Sequence, residues 1–195
     1  RVLVAPKGDT TRPTADRTRE ALFSMLVSRL GSFDELRVAD LFAGSGALGL
    51  EALSRGAASC TFVEQDRKAL DALRSNVAAL KAQADIRAQS AMTLAPAHEP
   101  FDLILMDPPY DTGAGQVALD RCQRLGWIAP GALISIETGR AESVAVAGFT
   151  VEAERVHGKA KITLLRLTDQ ESITSLTTRP APATPSPTIT SRHSA

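Results

Sequence analysis

Residues 101–113 read FDLILMDPPYDTG, an apolar run that ends in a carboxylate, two prolines and an aromatic ring: Asp107, Pro108, Pro109 and Tyr110. The run has the composition of a buried strand, so these four residues stand at its open end. Proline restricts both itself and the residue before it, which fixes the backbone here and can hold the Pro108 carbonyl pointing into a site. That carbonyl and the Asp107 carboxylate make two acceptors, which suits an exocyclic NH2: they would take its two hydrogens and steer its lone pair toward an electrophile. Tyr110 offers a flat face on which a base that has left its own stack can lie. A conjugated amine is a poor nucleophile, so orientation is what such a site contributes. No strong general base is needed, because the amine proton becomes acidic on alkylation and Asp107 or water can take it. The bland alternative is an ordinary Asp-Pro turn after a strand.

A second constellation precedes it. AGSGALG places Gly44, Gly46 and Gly49 in GxGxxG spacing, directly after the strand RVADLF and at the opening of a helix. Glycines there permit a tight turn and close approach of a ligand, and the helix start offers free N–H groups. Glu64 ends the next strand, where a carboxylate can accept from a ribose diol. Together they fit a nucleoside cofactor at the carboxyl ends of the strands, with a packing turn that simply needs glycine as the plain alternative. Asp40, in DxFxGxG, bears on which cofactor. A carboxylate beside this loop would repel the pyrophosphate of a dinucleotide and would suit a cationic cofactor such as S-adenosylmethionine, unless Asp40 merely hydrogen-bonds the turn.

These motifs need a scaffold that brings strand ends together. Residues 14–30 carry Leu22, Phe23, Leu26 and Leu30 on one face between Pro13 and Gly31, which predicts a helix. Strands are expected at 37–42, 59–64, 85–90, 101–107 and 131–137. Helices are expected from the glycine turn to Gly56, over 66–81 and over 115–126. FTVEAERV and KITLLRL form a closing hairpin that turns near Gly158. Apolar strands alternating with helices imply an α/β, doubly wound, mostly parallel sheet covered on both faces, with the hairpin adding an antiparallel strand. In such a sheet the fourth strand lies beside the first, so Asp107 to Tyr110 face the glycine loop across a crevice. Residues 1–167 form one domain. Residues 168–195 are rich in Ser, Thr and Pro with one Leu and no aromatic, and are expected to be a disordered tail.

The bulk composition narrows the function. The 195 residues carry 22 basic and 22 acidic side chains, so the total does not announce a strongly basic nucleic-acid binder, although neutrality can hide a local patch. Residues 1–20 are modestly basic, with Arg1, Lys7, Arg12, Arg17 and Arg19 against Asp9, Asp16 and Glu20. Arginines flanking a helix start can hold phosphates there, or form intrahelical ion pairs on a solvated face. Cys60 and Cys122 are far apart, with no CxxC, so neither a zinc site nor a disulfide framework follows. Both read as small apolar core residues, Trp127 reads as core, and His98 and His157 as surface or turn histidines. No apolar run of about 18 residues is present, and the chain is expected to be cytoplasmic and monomeric.

TRPTADRTREALFSML, VADLFAGSGALGLEALSRGAAS, FDLILMDPPY and GWIAPGALISIE, in this order and spacing, resemble the RsmD family of bacterial 16S ribosomal RNA guanine-N2 methyltransferases. The resemblance runs from residue 1 to about 167, and TRPTxDRxRE is its most specific part. It implies a Rossmann-like methyltransferase fold, S-adenosylmethionine, no metal, and a guanine of 16S rRNA within the small ribosomal subunit. It places cofactor binding on Asp40, Phe42, Gly44, Ser45, Gly46 and Glu64, with Ser90 and Ala91 at the adenine end. Position 90 is Ser where many methyltransferases carry Asp or Asn. It places target binding and methyl transfer on Asp107, Pro108, Pro109 and Tyr110, and RNA contact on Arg12, Thr14, Arg17 and Arg19. The rivals are an adenine-N6 methyltransferase of DNA or RNA, whose target amine offers the same two hydrogens, an NAD-dependent oxidoreductase, and a non-catalytic nucleotide-binding module.

Overall fold

The structure, a computed structural model, describes residues 12–168, with Arg12 described in its backbone alone. Expectations for residues 1–11 and for the tail beyond Thr168 lie outside the described residues. Helix α1 (Arg12–Leu30) opens with Pro13, whose missing N–H would have been unpaired there in any case, and closes at Gly31 with φ 73°. It buries Leu22, Phe23 and Leu26 completely or nearly so. Strands β1 (Arg37–Leu41), β2 (Ser59–Glu64), β3 (Ala84–Ala88), β4 (Phe101–Met106) and β5 (Ile128–Gly139) follow, with α2 (Ala47–Ser54), α3 (Arg67–Leu80) and α4 (Ala114–Arg124) between them. A hairpin of β6 (Phe149–His157) and β7 (Ala160–Leu167) ends the fold, turning through Gly158 at φ 61°.

The sheet order is β3-β2-β1-β4-β5-β7-β6. β1 to β5 run parallel and β7 pairs antiparallel with both β5 and β6. Every strand and helix expected from the sequence is present, most with ends shifted by one or two residues, and β3 and β5 change for identifiable local reasons. β3 ends at Ala88, because Ser90 leaves the strand to cap a short 3-10 turn at Ala91–Thr93, where its hydroxyl accepts from Met92 N–H at 3.1 Å. β5 is longer at both ends, and its pairing with β4 skips between Phe101 and Leu103 to absorb Pro130 and Gly131.

Period-two alternation divides the strand residues between two cores. Val38, Phe62, Leu103, Leu105 and Leu133 pack with α1, α2 and α3 on one face. Ala39, Val63, Ile104, Met106 and Ile136 pack with α4 and Trp127 on the other. Trp127 is wholly buried, stacks near Phe101 at 5.1 Å, and its indole N–H donates to Ala95 O at 2.9 Å, so the polar edge of a large core side chain is satisfied. Cys60 and Cys122 are buried free thiols, and burial pushes the Cys122 thiol up to about 12, which leaves it inert. Among the described residues no helix is long and apolar enough to cross a membrane.

Candidate active site

The sheet order reverses between β1 and β4, so the chains leaving those strands diverge and open a crevice at their carboxyl ends. A cavity of about 980 Å³ occupies it. Phe42, Val63, Glu64, Gln89 and Ala91 line one side, and Asp107, Pro108, Pro109, Tyr110 and Glu137 the other. Thr14, Ala15 and Thr18 of α1 and Gly158–Ala160 of the hairpin turn complete the walls. That volume accommodates a nucleoside and a base together.

The glycine loop is built from unusual backbone. Phe42, Gly44 and Gly46 all have positive φ, at 63°, 55° and 83°. For Phe42 this is a costly conformation, held by the surrounding contacts, and it projects an aromatic residue into the cavity wall. A Cβ on Gly44 would meet nothing within 4 Å, so that glycine leaves open space beside the loop. Ser45, like Gly44 and Gly46, is not among the residues that line the cavity, and its carbonyl accepts from the Asn76 side chain on α3 at 3.0 Å. Glu64 is the hub that holds the loop: Oε2 accepts from Gly44 N–H at 2.7 Å, and Oε1 from Gln65 and Asp66 N–H at 2.8 and 2.7 Å. Oε2, with one donor, retains capacity for a hydroxyl.

Asp40 corrects an expectation. It lies under the loop, 1 % exposed, rather than in the cavity wall, and Oδ2 accepts from Gly49 N–H at 2.9 Å while Oδ1 has no partner. Burial holds its carboxyl well above the usual range, against the lowering effect of that N–H. Bonding of the turn, the plainer alternative, accounts for the hydrogen bond that this carboxylate accepts. Ser90 is likewise outside the lining, its hydroxyl spent on the cap, and its neighbour Gln89 takes the wall position.

Asp107 to Tyr110 sit just past β4, as expected. The Pro109 carbonyl accepts from the Thr112 hydroxyl at 2.7 Å, whereas no described residue donates to that of Pro108. Two carboxylates that carried no signal in the sequence organise this loop. Glu142 accepts from Asp111 and Gly139 N–H at 2.8 and 2.9 Å, tying the DPPY turn to the end of β5, and these bonds lower its pKa. Glu137 accepts the Tyr110 hydroxyl at 2.5 Å. Burial, that bond and the surrounding carboxylates push the Tyr110 phenol up, although the ring is 42 % exposed.

Asp107 is raised to about 7, first by burial and then by the charge of Glu137. Asp107 lines the cavity and keeps accessible surface there, while the surrounding protein limits solvation of its carboxyl. A carboxyl whose folded pKa lies above its ordinary 3.8 favours the fold while protonated, and that contribution is lost as pH rises from about 4 through about 7. Asp107→Asn is therefore expected to match wild type in Tm near pH 4 and to exceed it at pH 8. Thermal melts at both values test this, and equal or lower Tm for the variant at pH 8 would contradict it.

The expected RNA-contact set divides. Thr14 reaches the cavity, with Thr18 one turn on donating its hydroxyl to Thr14 O at 3.1 Å. Arg17 is exposed on α1 and outside the lining. Arg19 pairs with Asp16 at 3.0 Å beside Glu51 and Arg55 in a separate depression, the intrahelical pairing that its spacing allowed. The Arg12 side chain lies outside the described residues. Gly158 and Lys159, absent from any motif, enter the site because the hairpin turn folds over it.

A family model described as conserved hypothetical protein 95 matches residues 1–166. The ribosomal RNA small subunit methyltransferase D of Escherichia coli (strain K12) is 37 % identical over 163 residues, covering 82 % of this chain and 81 % of that protein. The protein of the same name from Haemophilus influenzae is 38 % identical over 133 residues, covering 65 % and 67 %. Among solved structures, Escherichia coli yhhF superposes with a TM-score of 0.75 at 34 % identity, covering 87 % of this chain and 93 % of that one. The seven-stranded sheet with its antiparallel closing hairpin is the fold of class I methyltransferases.

Proposed function

This chain belongs to the RsmD family, and from that premise we propose that it methylates the exocyclic N2 amine of a guanine in 16S ribosomal RNA of the small ribosomal subunit, using S-adenosylmethionine. One observation carries the reading: Asp107, Pro108 and Tyr110 share a cavity with Glu64, Phe42 and Ala91 where the strand order reverses. Its walls hold Glu64, Asp66, Asp107 and Glu137 against Lys159. That balance suits a cofactor bearing a sulfonium and an ammonium, and would repel the pyrophosphate that an NAD-dependent oxidoreductase must seat. Phe42, Val63 and Ala91 give an apolar wall for an adenine ring, Gln89 a nearby amide, and Glu64 Oε2 an acceptor for a ribose hydroxyl.

When bound, S-adenosylmethionine supplies an electrophilic methyl group. Asp107 and the Pro108 carbonyl accept the two hydrogens of the target amine, which fixes the nitrogen and directs its lone pair. Tyr110 stacks on the flipped base, its ring steadied by the bond to Glu137. After transfer the amine proton passes to Asp107, whose pKa of about 7 matches the working pH of a cytoplasmic protein. Neutral overall charge, 22 against 22, supports a folded ribosomal particle rather than bare RNA as substrate.

The test is transfer of labelled methyl to small subunits lacking the modification, followed by nucleoside analysis. N2-methylguanosine is expected, with protein-free 16S rRNA a poorer substrate. N6-methyladenosine would replace guanine by adenine as target. A thermal shift with NAD and none with S-adenosylhomocysteine would overturn the cofactor.

A further inference from the structure

Two carboxylates stand side by side at the target end of the cavity, where holding one amine requires only one of them. Met106 is in register with Ile136, so Asp107, directly after β4, comes level with Glu137 of β5, and strand alternation continues both onto the face that α1 covers. Strands lie about 4.8 Å apart, so the two groups repel each other, and burial adds to the cost of charging both. A ligand that brings donors to both relieves that cost. Glu137 Oε1 already accepts the Tyr110 hydroxyl, while among the described residues no donor reaches Oε2.

We propose that Glu137 reads the identity of the base, its Oε2 accepting the N1–H of the target guanine while Asp107 and the Pro108 carbonyl hold the N2 amine. This rests on the guanine reading above and deepens it. Guanine presents N1–H beside its amine, a continuous row of donors. Adenine presents a bare N1 lone pair beside its amine, and that lone pair would face a carboxylate. Asp107 suits either amine, so it cannot discriminate, whereas Glu137 can. Tyr110 gains a second use, since by occupying Oε1 it orients the carboxylate and leaves Oε2 for the base.

The experiment uses the full chain and small subunits reconstituted with 16S rRNA carrying guanine, 2-aminopurine or adenine at the position that wild type methylates. 2-Aminopurine keeps the N2 amine but has no N1–H. Wild type is expected to methylate it at least about 100-fold more slowly than guanine, because the site's acceptor would be left without its donor. Glu137→Gln, whose amide can rotate to present either group, is expected to narrow that ratio to about tenfold or less. Tyr110→Phe loosens the carboxylate but leaves it an acceptor, so the ratio is expected to stay wider than in Glu137→Gln. Equal use of guanine and 2-aminopurine by wild type overturns the inference whatever the variants do. A ratio narrowed as much by Tyr110→Phe as by Glu137→Gln also overturns it, since Glu137 would then only hold the ring. Absence of N2-methylguanosine from the wild-type reaction overturns the guanine reading and this inference with it.

Discussion

Asp107→Ala is expected to slow methyl transfer by about 10²- to 10³-fold, the loss typical when one preorganised polar partner is removed from a reacting group. Cofactor affinity should change far less, because Glu64, Phe42 and Ala91 stand on the opposite side of the cavity. On the proposed reading, the substitution removes one of the two acceptors that orient the amine and the group that receives its proton. It also relieves Glu137 of a neighbouring charge, so the folded protein should be no less stable at neutral pH. Loss of activity with unchanged or raised Tm is thus the signature. The pH profile adds a second reading. In wild type, kcat/KM for the small subunit should fall below about pH 7 as the carboxyl protonates, and Asp107→Asn should abolish that limb. Single-turnover transfer and equilibrium binding of S-adenosylhomocysteine measure the two effects separately. Full transfer activity in Asp107→Ala would remove the DPPY turn from the chemistry.

Gly49→Ala tests the other side of the cavity through packing alone. A Cβ there would lie 2.4 Å from Phe62 Cε1 and 2.6 Å from Cys60 Sγ, both wholly or almost wholly buried on β2. Neither can retreat, since Phe62 fills the core beneath α2. Over-filling of this kind costs about 3 kcal/mol at the upper end of its usual range. For a domain of this size the corresponding fall in Tm is about 6–12 °C. Cofactor binding should weaken too, because displacing α2 strains the bond from Gly49 N–H to Asp40 and with it the loop. Phe62→Leu in the same chain should restore part of the loss by making room. An unchanged Tm for Gly49→Ala would show that the third glycine of the motif is not there for close packing.

The two glycines therefore share one constraint and differ in another, and the sequence distinguishes neither. A Cβ on Gly46 would lie 2.4 Å from buried Leu73 Cδ1, and Gly46 also has a positive φ of 83°, whereas Gly49 has an ordinary helical backbone and only lacks room for a side chain. GxGxxG spacing after a strand announces both positions without saying which constraint holds where.

Local chemistry by itself determines much about this protein. Apolar runs separated by amphipathic segments mark the strands and helices, a helix is expected from Asp66, where the structure shows that side chain capping α3 by accepting from Ala69 N–H at 2.8 Å, and Gly158 marks the hairpin turn. The DPPY turn was legible because two prolines after an apolar run admit few backbone paths. What chain order could not decide is which side chains meet across strands. Glu137 and Glu142 lie 30 and 35 residues beyond Asp107 and look like any surface glutamates in sequence, yet the register of β4 with β5 brings Glu137 beside Asp107. Asp40 looked like a cavity residue, but strand alternation turns it beneath the glycine loop and onto Gly49. Helix rotation likewise sends Thr14 and Thr18 toward the cavity and Arg19 toward Asp16. A carboxylate's role depends on its neighbours in space, and those are set only when parallel strands pair and the helices choose which face to cover.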